Sequence, residues 1–176
     1  MVVRMIFSGR KKRVEDKKRI VDGLAIYAPA GGVMTPLTHI DDAEFGKRFV
    51  GQGIIVRPTG DQVASPIIGT VAKVYNNGRA VMLTIAFGVT VLVYVGLETD
   101  KLKRAHFSTF VLEGDIVGPG DLMIRFDRKG LEEAGSDAMI RLVVCDNDVY
   151  EKFTLPEVRT IEEGELIAAL AYIDFS

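Results

Sequence analysis

The chain has 176 residues, of which 48% are hydrophobic and 26% charged, and its formal net charge is −2. This length suits a single domain whose core needs neither a structural metal nor a disulfide. The small net charge disfavours general nucleic-acid binding, and the single cysteine, Cys145, excludes an internal disulfide and a multi-cysteine zinc site. We therefore expect a cytoplasmic location and no cofactor.

The first part of the chain differs from the rest in charge. Residues 1–19 hold eight basic side chains and two acidic ones, which predicts a flexible, solvated basic tail. The alternative is weak contact of this tail with an anionic membrane surface or partner. Residues 20–176 are predicted to form one domain.

Beyond residue 20, short apolar runs alternate with clusters of Gly, Pro, Asn and Asp, which predicts β-strands joined by turns. The NNG sequence at 76–78 predicts a tight hairpin turn. The long run AVMLTIAFGVTVLVYVGL is rich in β-branched residues and broken by Gly88, so we interpret it as a buried hairpin rather than a membrane helix. The predicted strand regions are GLAIYAPAGGVMTPL, GIIVRPTGD, IIGTVAKVYNNGRAVMLTIAFG, GVTVLVYVG, GDIVGPGDLMIRFD, AMIRLVVCDND and GELIAALAYID.

Two further patterns complete the predicted fold. The segments DDAEFGKRF and KGLEEAG are predicted to form short helices, and a P-x-x-G turn occurs at both 29–32 and 66–69, as a duplicated unit would show. The fold class is therefore all-β, an antiparallel sandwich or partly open barrel with one or two short helices.

Several of these segments make the prediction more specific. From about Gly23 to Ile173 the sequence resembles the glucose-family enzyme IIA domain of the bacterial phosphoenolpyruvate:sugar phosphotransferase system. The segments that carry the resemblance are GQGIIVRPTGDQVASPIIGTVAKVY, GVTVLVYVGLET and LEGDIVGPGDLMIRFD. The resemblance implies a barrel-sandwich hybrid built on a duplicated motif. In that family the phosphocarrier protein phosphorylates a histidine, which passes the phosphoryl group to a IIB domain for sugar uptake.

The resemblance assigns unexpected residues to the active site. The acceptor position falls on Tyr94, in V-Y-V-G where V-H-F-G is usual. The supporting histidine falls on Arg79, in N-G-R-A where N-H-A-F is usual, and the histidines present, His39 and His106, lie elsewhere. We therefore expect both active-site histidines to be substituted.

The chemistry of these two residues disfavours a relay. Imidazole titrates near neutral pH and is a suitable phosphoryl carrier, whereas a phenol with a pKa of about 10 is a poor nucleophile without a neighbouring base. Arg79 stays protonated and is not such a base, although it can grip an anion. The sequence therefore predicts a phosphotransferase family member that is catalytically inactive.

Strand alternation predicts which face is exposed. Val89, Val91, Val93 and Val95 share one face, which we expect in the core, and Tyr94 lies on the other. If the family pattern holds, that other face is an exposed docking surface. The predicted binding residues are Phe45, Val50, Met82, Leu92 and Glu98.

The predicted docking surface departs from the family pattern in its charges. Glu44 and Asp100 stand where apolar residues are usual, and Glu98 replaces an aspartate. Arg79 is expected beside Tyr94, where it offers a site for a partner's carboxylate or phosphate. The alternative is that Arg79 pairs with Glu98 or Glu44 in water, with little energetic effect.

Other chemistries find less support in the sequence. His39 and His106 are expected to be solvated turn residues, and nothing supplies the other ligands of a metal site. Cys145 follows an apolar run and is expected to be a structural thiol. Two functions remain: a protein-binding module that docks on phosphotransferase proteins or on a regulated transporter or kinase, and, alternatively, a IIA component that relays a phosphoryl group.

Overall fold

The computed structural model describes residues 23–75, 77–99 and 101–173. The predictions made for the tail at 1–19 and for Asp100 concern residues outside these ranges. Among the described residues, no helix has both the length and the apolar character needed to cross a membrane.

The described chain consists almost entirely of β-strands, as predicted. One short α-helix, α1 (Arg128–Glu133), and two 3-10 turns, at Ala86–Gly88 and Arg104–His106, interrupt them. The strands are β1 (Gly23–Tyr27), β2 (Gly32–Leu37), β3 (Gly51–Pro58), β4 (Gln62–Ala64), β5 (Gly69–Val74), β6 (Ala80–Thr84), β7 (Thr90–Val95), β8 (Phe107–Thr109), β9 (Ile116–Val117), β10 (Leu122–Phe126), β11 (Ile140–Cys145), β12 (Arg159–Ile161) and β13 (Leu166–Ala171).

These strands form three sheets. The largest has the order β12-β2-β3-β11-β7-β6-β5-β9, and the two smaller sheets have the orders β4-β10-β8 and β1-β13. Every described pairing between strands is antiparallel. The predicted hairpin at NNG joins β5 to β6, with the amide of Gly78 donating to the carbonyl of Tyr75. The short strands β4, β8 and β12 lie outside the predicted strand regions.

The repeated P-x-x-G turns mark a real duplication in the hydrogen bonding. The amide of Tyr27 donates to the carbonyl of Pro66, and that of Ala64 donates to the carbonyl of Pro29, so the two turns exchange equivalent bonds. The residue before each proline also forms two backbone hydrogen bonds with a turn later in the chain. Ala28 accepts from the amide of Gly164 and donates to the carbonyl of Glu165, and Ser65 accepts from the amide of Gly120 and donates to the carbonyl of Asp121. The arrangement is that of two related halves.

The main core lies where strand alternation predicted it. Val89, Val91, Val93 and Val95 of the β7 region are all buried and belong to one large apolar cluster. This cluster gathers side chains from all three sheets, so the sheets fold around a single core.

One helix prediction is confirmed and the other is wrong. KGLEEAG contributes α1, whose first turn is capped by Asp127 accepting from the amide of Gly130. DDAEFGKRF forms consecutive turns and no helix of its own. Asp42, which stands at the N-cap position of the predicted helix, also accepts hydrogen bonds from Arg79 and from the amide of Glu98. Gly46 further disfavours so short a helix.

We expect Gly53→Ala to destabilise the sheet by about 1–3 kcal/mol or more, because an added Cβ would meet the carbonyl oxygen of Leu142 on β11. Gly60→Ala is the matched control, since a Cβ there has no neighbour within 4 Å. Urea unfolding would measure both. Equal midpoints for the two variants would contradict the close approach of β3 and β11 at Gly53.

Candidate functional site

Three adjacent strands place the candidate residues on one face of the large sheet. Tyr94 of β7 lies directly opposite Ala80 of β6 on one side and Arg141 of β11 on the other. Arg79 precedes β6, and its carbonyl accepts from the amide of Val95 at 2.9 Å. The predicted proximity of Arg79 and Tyr94 is confirmed, because the guanidinium lies 5.8 Å from the phenol ring centre.

This face is covered by the connection between β2 and β3, residues 38–50, which we call the covering segment. Its Phe45 packs edge-on against Tyr75 and at a tilt against Tyr94, with ring centres 4.8 and 5.1 Å apart. A second apolar cluster results, separate from the main core. Its buried members are Leu37, Phe45, Tyr75, Ala80, Leu92, Tyr94 and Val143, and half-buried Ile40, Phe49, Ile55 and Met82 pack against it.

The prediction that Tyr94 is exposed is wrong. Tyr94, Leu92 and Phe45 are fully buried, so three of the residues expected on a docking surface lie beneath or within the covering segment. Val50 is 72% exposed, whereas Met82 and Glu98 are partly buried. Alternation along one strand separates the two faces of a sheet but does not show what packs on the second face.

Arg79 is the centre of a buried ion cluster. Its Nη2 lies 2.8 Å from Asp42 Oδ1 and 3.7 Å from Glu44 Oε1, and its Nε lies 3.0 Å from Glu98 Oε2. The Arg79 and Asp42 side chains are both completely inaccessible to solvent. Only the Asp42 contact has hydrogen-bond alignment, so Nε interacts with Glu98 as an ion pair. The guanidinium also stacks 4.5 Å from the Phe45 ring centre.

Both expectations for Arg79 need correction. The residue does not pair with Glu98 or Glu44 in water, because its side chain is buried. It also does not present a free guanidinium to a partner's anion, because carboxylates of the chain itself already surround it. The physical reason is the covering segment, which brings Asp42 onto the sheet face.

Asp42 ties the covering segment to the rest of the domain. Besides Arg79, its Oδ1 accepts from the amides of Glu44 and Phe45 at 2.9 and 3.1 Å. Its Oδ2 accepts from the amide of Glu98 at 2.7 Å, on the loop that follows β7. Four donors therefore satisfy one buried carboxylate, which is the condition for burying a charge without a large penalty.

A second ionic contact lies on the other side of Tyr94. The phenol hydroxyl donates to Asp41 Oδ1 at 2.9 Å, and Arg141 Nε donates to Asp41 Oδ2 at 3.1 Å. Arg141 also binds both carboxylate oxygens of Asp137, at 2.6 and 2.8 Å. The covering segment is thus fixed to the sheet by two neighbouring aspartates, each paired with its own arginine.

The environment shifts the pKa values of these groups in different directions. Burial, reinforced by the charge of Asp41 and the hydrogen bond to it, raises the pKa of Tyr94 far above its ordinary value. Burial also raises the pKa of Glu98, since the attraction of Arg79 is opposed by Glu44 and Asp42. For Asp137, burial acts upward, but the hydrogen bonds and charge of Arg141 lower the pKa.

The cluster holds more acids than bases. Five carboxylates contact the two arginines, those of Asp41, Asp42, Glu44, Glu98 and Asp137. Within the described ranges, no group of acidic, histidine or cysteine side chains is arranged to hold a metal ion. The cluster thus holds three more carboxylates than guanidinium groups.

The remaining candidates lie away from this cluster. His39 is exposed beside Thr38, and His106 is half-buried and accepts from the amide of Lys103. Cys145, at the end of β11, is half-buried, and burial together with Asp146 raises its pKa to about 11, which disfavours the thiolate.

Sequence reasoning missed four residues of the site: Asp41, Asp42, Asp137 and Arg141. Arg141 left a signal, since it is a charge inside the apolar run AMIRLVVC and a charge in a buried strand needs a partner. The adjacent acids at 41 and 42 were noted only as part of a predicted helix.

Comparison with known proteins identifies the family. Residues 24–150 match the model of the phosphoenolpyruvate-dependent sugar phosphotransferase system, EIIA 1. The chain belongs to this family. The resemblance drawn from the sequence is confirmed at this level.

Relatives of two sizes match the chain. It is 30% identical over 146 residues to the beta-glucoside-specific EIIBCA component of Bacillus subtilis, covering 83% of this chain but 24% of that protein. The chain is 33% identical over 125 residues to the beta-glucoside-specific EIIBCA component of Dickeya chrysanthemi, covering 71% of this chain and 20% of that protein. The glucose-specific EIIA component of Staphylococcus epidermidis is 30% identical over 155 residues, 88% of this chain and 93% of that protein.

A solved structure has the same fold. The glucose permease IIA of Mycoplasma capricolum aligns with a TM-score of 0.64 and 22% identity, over 85% of this chain and 94% of that one. At this identity the similarity concerns the fold alone. The all-β architecture inferred from the sequence is thus confirmed both by the strands themselves and by this structure.

We expect Asp42→Ala to destabilise the domain by roughly 3–5 kcal/mol, because it leaves the buried Arg79 without its hydrogen-bonded carboxylate. Glu165→Ala is the control, since its ion pair with Arg159 is solvent-exposed and is worth at most about 1 kcal/mol. Chemical denaturation of both variants is the measurement. A loss for Asp42→Ala no larger than the control's would show that the Arg79 cluster does not hold the covering segment.

Proposed function

We propose that this EIIA 1 domain is a protein-binding, regulatory module that does not carry phosphate. The burial of Tyr94 is the observation that supports this most directly. The residue is fully inaccessible, its hydroxyl donates to Asp41, and burial together with Asp41 keeps it protonated. A group of this kind can neither approach a phosphorylated donor protein nor act as a nucleophile near neutral pH.

The surroundings of Tyr94 support the same proposal. A transferred phosphoryl group brings negative charge, and the neighbouring carboxylates of Asp41 and Asp42 would repel it. The charge of Arg79 is already matched by Asp42 and Glu98. If Tyr94 and Arg79 stand at the acceptor and supporting positions, the chain lacks both histidines of the phosphoryl relay.

The proposed partner class rests on the family. EIIA 1 domains serve a sugar phosphotransferase system, and the relatives named above include separate EIIA components and EIIBCA components. We therefore propose phosphotransferase proteins, or a transporter or kinase that they regulate, as partners of a cytoplasmic domain. The competing function is a working IIA component that relays a phosphoryl group to a IIB domain.

The first test is phosphoryl transfer. We expect no gain of one phosphoryl mass when the purified protein is incubated with phosphoenolpyruvate and the general relay proteins, read by intact mass spectrometry at neutral pH. A working IIA component under the same conditions is the positive control. An acid-labile phosphoryl group on His39 or His106 would overturn the proposal. An acid-stable phosphoryl ester on Tyr94 would overturn it as well, and would show that the covering segment opens during transfer.

The second test restores the histidines. We expect Tyr94→His with Arg79→His to recover some phosphoryl acceptance, and Tyr94→His alone to recover less, because a guanidinium does not replace a neutral imidazole. Circular dichroism must accompany the assay, since removing Arg79 leaves Asp42, Glu44 and Glu98 without their shared cation. A folded double variant that accepts no phosphate would mean that the covered docking face, and not only the missing histidines, prevents transfer.

A further inference from the structure

We propose that the basic tail, residues 1–19, docks on the domain of its own chain, in a groove between the covering segment and the connection 146–153 that follows β11. We call this groove the tail groove. The proposal places the basic residues of the tail on an acidic rim and its apolar residues 1–7 against Val50. It goes beyond the function proposed above and does not depend on it.

The tail groove consists of two adjoining hollows at one end of β3 and β11. Their volumes are about 340 and 280 Å³, and Gln52, Asp146 and Lys152 line both of them. The first hollow continues to the acidic side chains of Asp148 and Glu151. The second continues to the apolar side chains of Ile40, Phe49 and Val50. The groove is therefore acidic at one end and exposes apolar side chains at the other.

The carboxylates of the rim are available to a further cation. Asp146, Asp148 and Glu151 are exposed, and the ion pairs within the described residues leave all three out. Three carboxylates and the ammonium group of Lys152 give the rim a net charge of −2. Opposite charges attract across such a surface, most strongly at low ionic strength.

The sequence of the basic tail is complementary to both ends of the groove. Residues 1–19 contribute +6 to a chain total of −2, which leaves −8 on residues 20–176. Residues 10–19 hold seven of the eight bases of the tail, and MVVRMIF at 1–7 holds six apolar residues around Arg4. Followed back from Gly23, the bases come first and the apolar residues second, which is the order in which the groove presents its acidic and apolar ends.

The described chain begins beside the acidic end of the groove. Gly23 pairs with Ala171 in the β1–β13 ladder, and the carbonyl of Ala171 accepts from the amide of Glu151 at 2.9 Å. Two strand spacings, about 10 Å, separate Gly23 from Glu151. Arg19 precedes Gly23 by four residues, and four residues reach at most about 14 Å. The first bases of the tail are therefore within reach of the rim.

The length of the tail also suffices for the apolar end. The amide of Asp146 donates to the carbonyl of Val50 at 2.8 Å, so the path from Gly23 over Glu151 and Asp146 to Val50 is about 30 Å. Phe7 precedes Gly23 by 16 residues, and a chain of that length reaches at most about 55 Å. Val50 is 72% exposed, so covering it with apolar side chains removes apolar surface from water.

A second acidic turn, at 162–165, is less suited to the tail. It lies at the other end of β13, where Leu166 pairs with Tyr27 instead of Gly23. One of its carboxylates, that of Glu165, already pairs with Arg159. The rim of the tail groove is thus the nearer and the less occupied of the two acidic surfaces.

Docking of the tail would occupy part of the predicted binding surface. Val50 is the predicted binding residue that the structure leaves most exposed. A partner that binds at Val50 therefore competes with the tail of the same chain. This consequence for partners rests on the proposed function, whereas the docking itself does not.

Paramagnetic relaxation enhancement in the full chain tests the docking. A nitroxide is attached at Ser8→Cys, with Cys145→Ser as background because Cys145 is the chain's one natural cysteine. At about 0.01 M salt, where the Debye length is about 30 Å, we expect strong broadening of the amides of Gln52 and Asp146. At about 1 M salt, where the Debye length is about 3 Å, we expect severalfold weaker broadening. Ile116 of β9, four strands from β11 in the large sheet, is the reference and should not broaden.

Neutralising the rim distinguishes docking from the nearness of a tethered segment. The rim variant combines Asp146→Asn, Asp148→Asn and Glu151→Gln, and should reduce the broadening severalfold. Its control removes the same charge from exposed positions outside the groove and should leave the broadening unchanged. The control substitutions are Asp61→Asn, Glu132→Gln and Glu133→Gln. The dispersion of each amide spectrum shows that the variant is folded.

The apolar contact has its own pair of variants. Val50→Ser should weaken the broadening, because it removes the exposed apolar side chain at that end of the groove. Val33→Ser, on the exposed face of β2, should not. Equal broadening in the rim variant and its charge-matched control, or no broadening in the wild-type groove at low salt, would overturn the proposal.

A mixed sample identifies whose tail occupies the groove. Spin-labelled chains are mixed with isotopically labelled chains that carry no nitroxide. Docking within one molecule predicts no broadening in this sample, and broadening would assign the groove to the tail of a second copy and overturn the proposal. Phosphoryl acceptance by the wild type would defeat the proposed function and leave these readings standing.

Discussion

The contact between Arg79 and Asp42 organises this domain's candidate site. Both side chains are inaccessible to solvent, and a buried charge needs a partner and further hydrogen bonds to be tolerated. Asp42 receives those bonds from the covering segment itself and from the loop after β7. Arg79 forms an ion pair with Asp42 and stacks on the ring of Phe45. Removing either charge would leave the other uncompensated, so the positions of the segment, the loop and the β6 entry depend on one another.

The same contact determines what the sheet face can do. With Asp42 and Asp41 bound to arginines, Phe45 is held against Tyr94 and Tyr75, and the second apolar cluster closes. A buried ion pair is weak evidence for added stability, because its desolvation offsets much of its attraction. It is better suited to selecting one arrangement of a segment, here the one in which residues 38–50 cover the sheet face.

Membership of the EIIA 1 family and the chemistry of this face are separate matters. Residues 24–150 fit the family, and the fold matches a glucose permease IIA. A shared fold leaves function to the groups grafted on it. Here those groups are a buried phenol that donates to Asp41 and two guanidiniums that are paired with the chain's own aspartates.

The resemblance to the family placed Arg79 near Tyr94. By itself, the sequence determined most of the strands, the hairpin at NNG and the valine face of β7. These depend on period-two alternation and on turn residues, which act over a few positions. Only the tertiary structure decided that Tyr94 is buried and that Asp42 reaches Arg79. Asp41 and Arg141 meet across 100 residues of chain. A connection such as 38–50 contains no periodicity that shows where it lies, because its place is set by side chains contributed from distant strands.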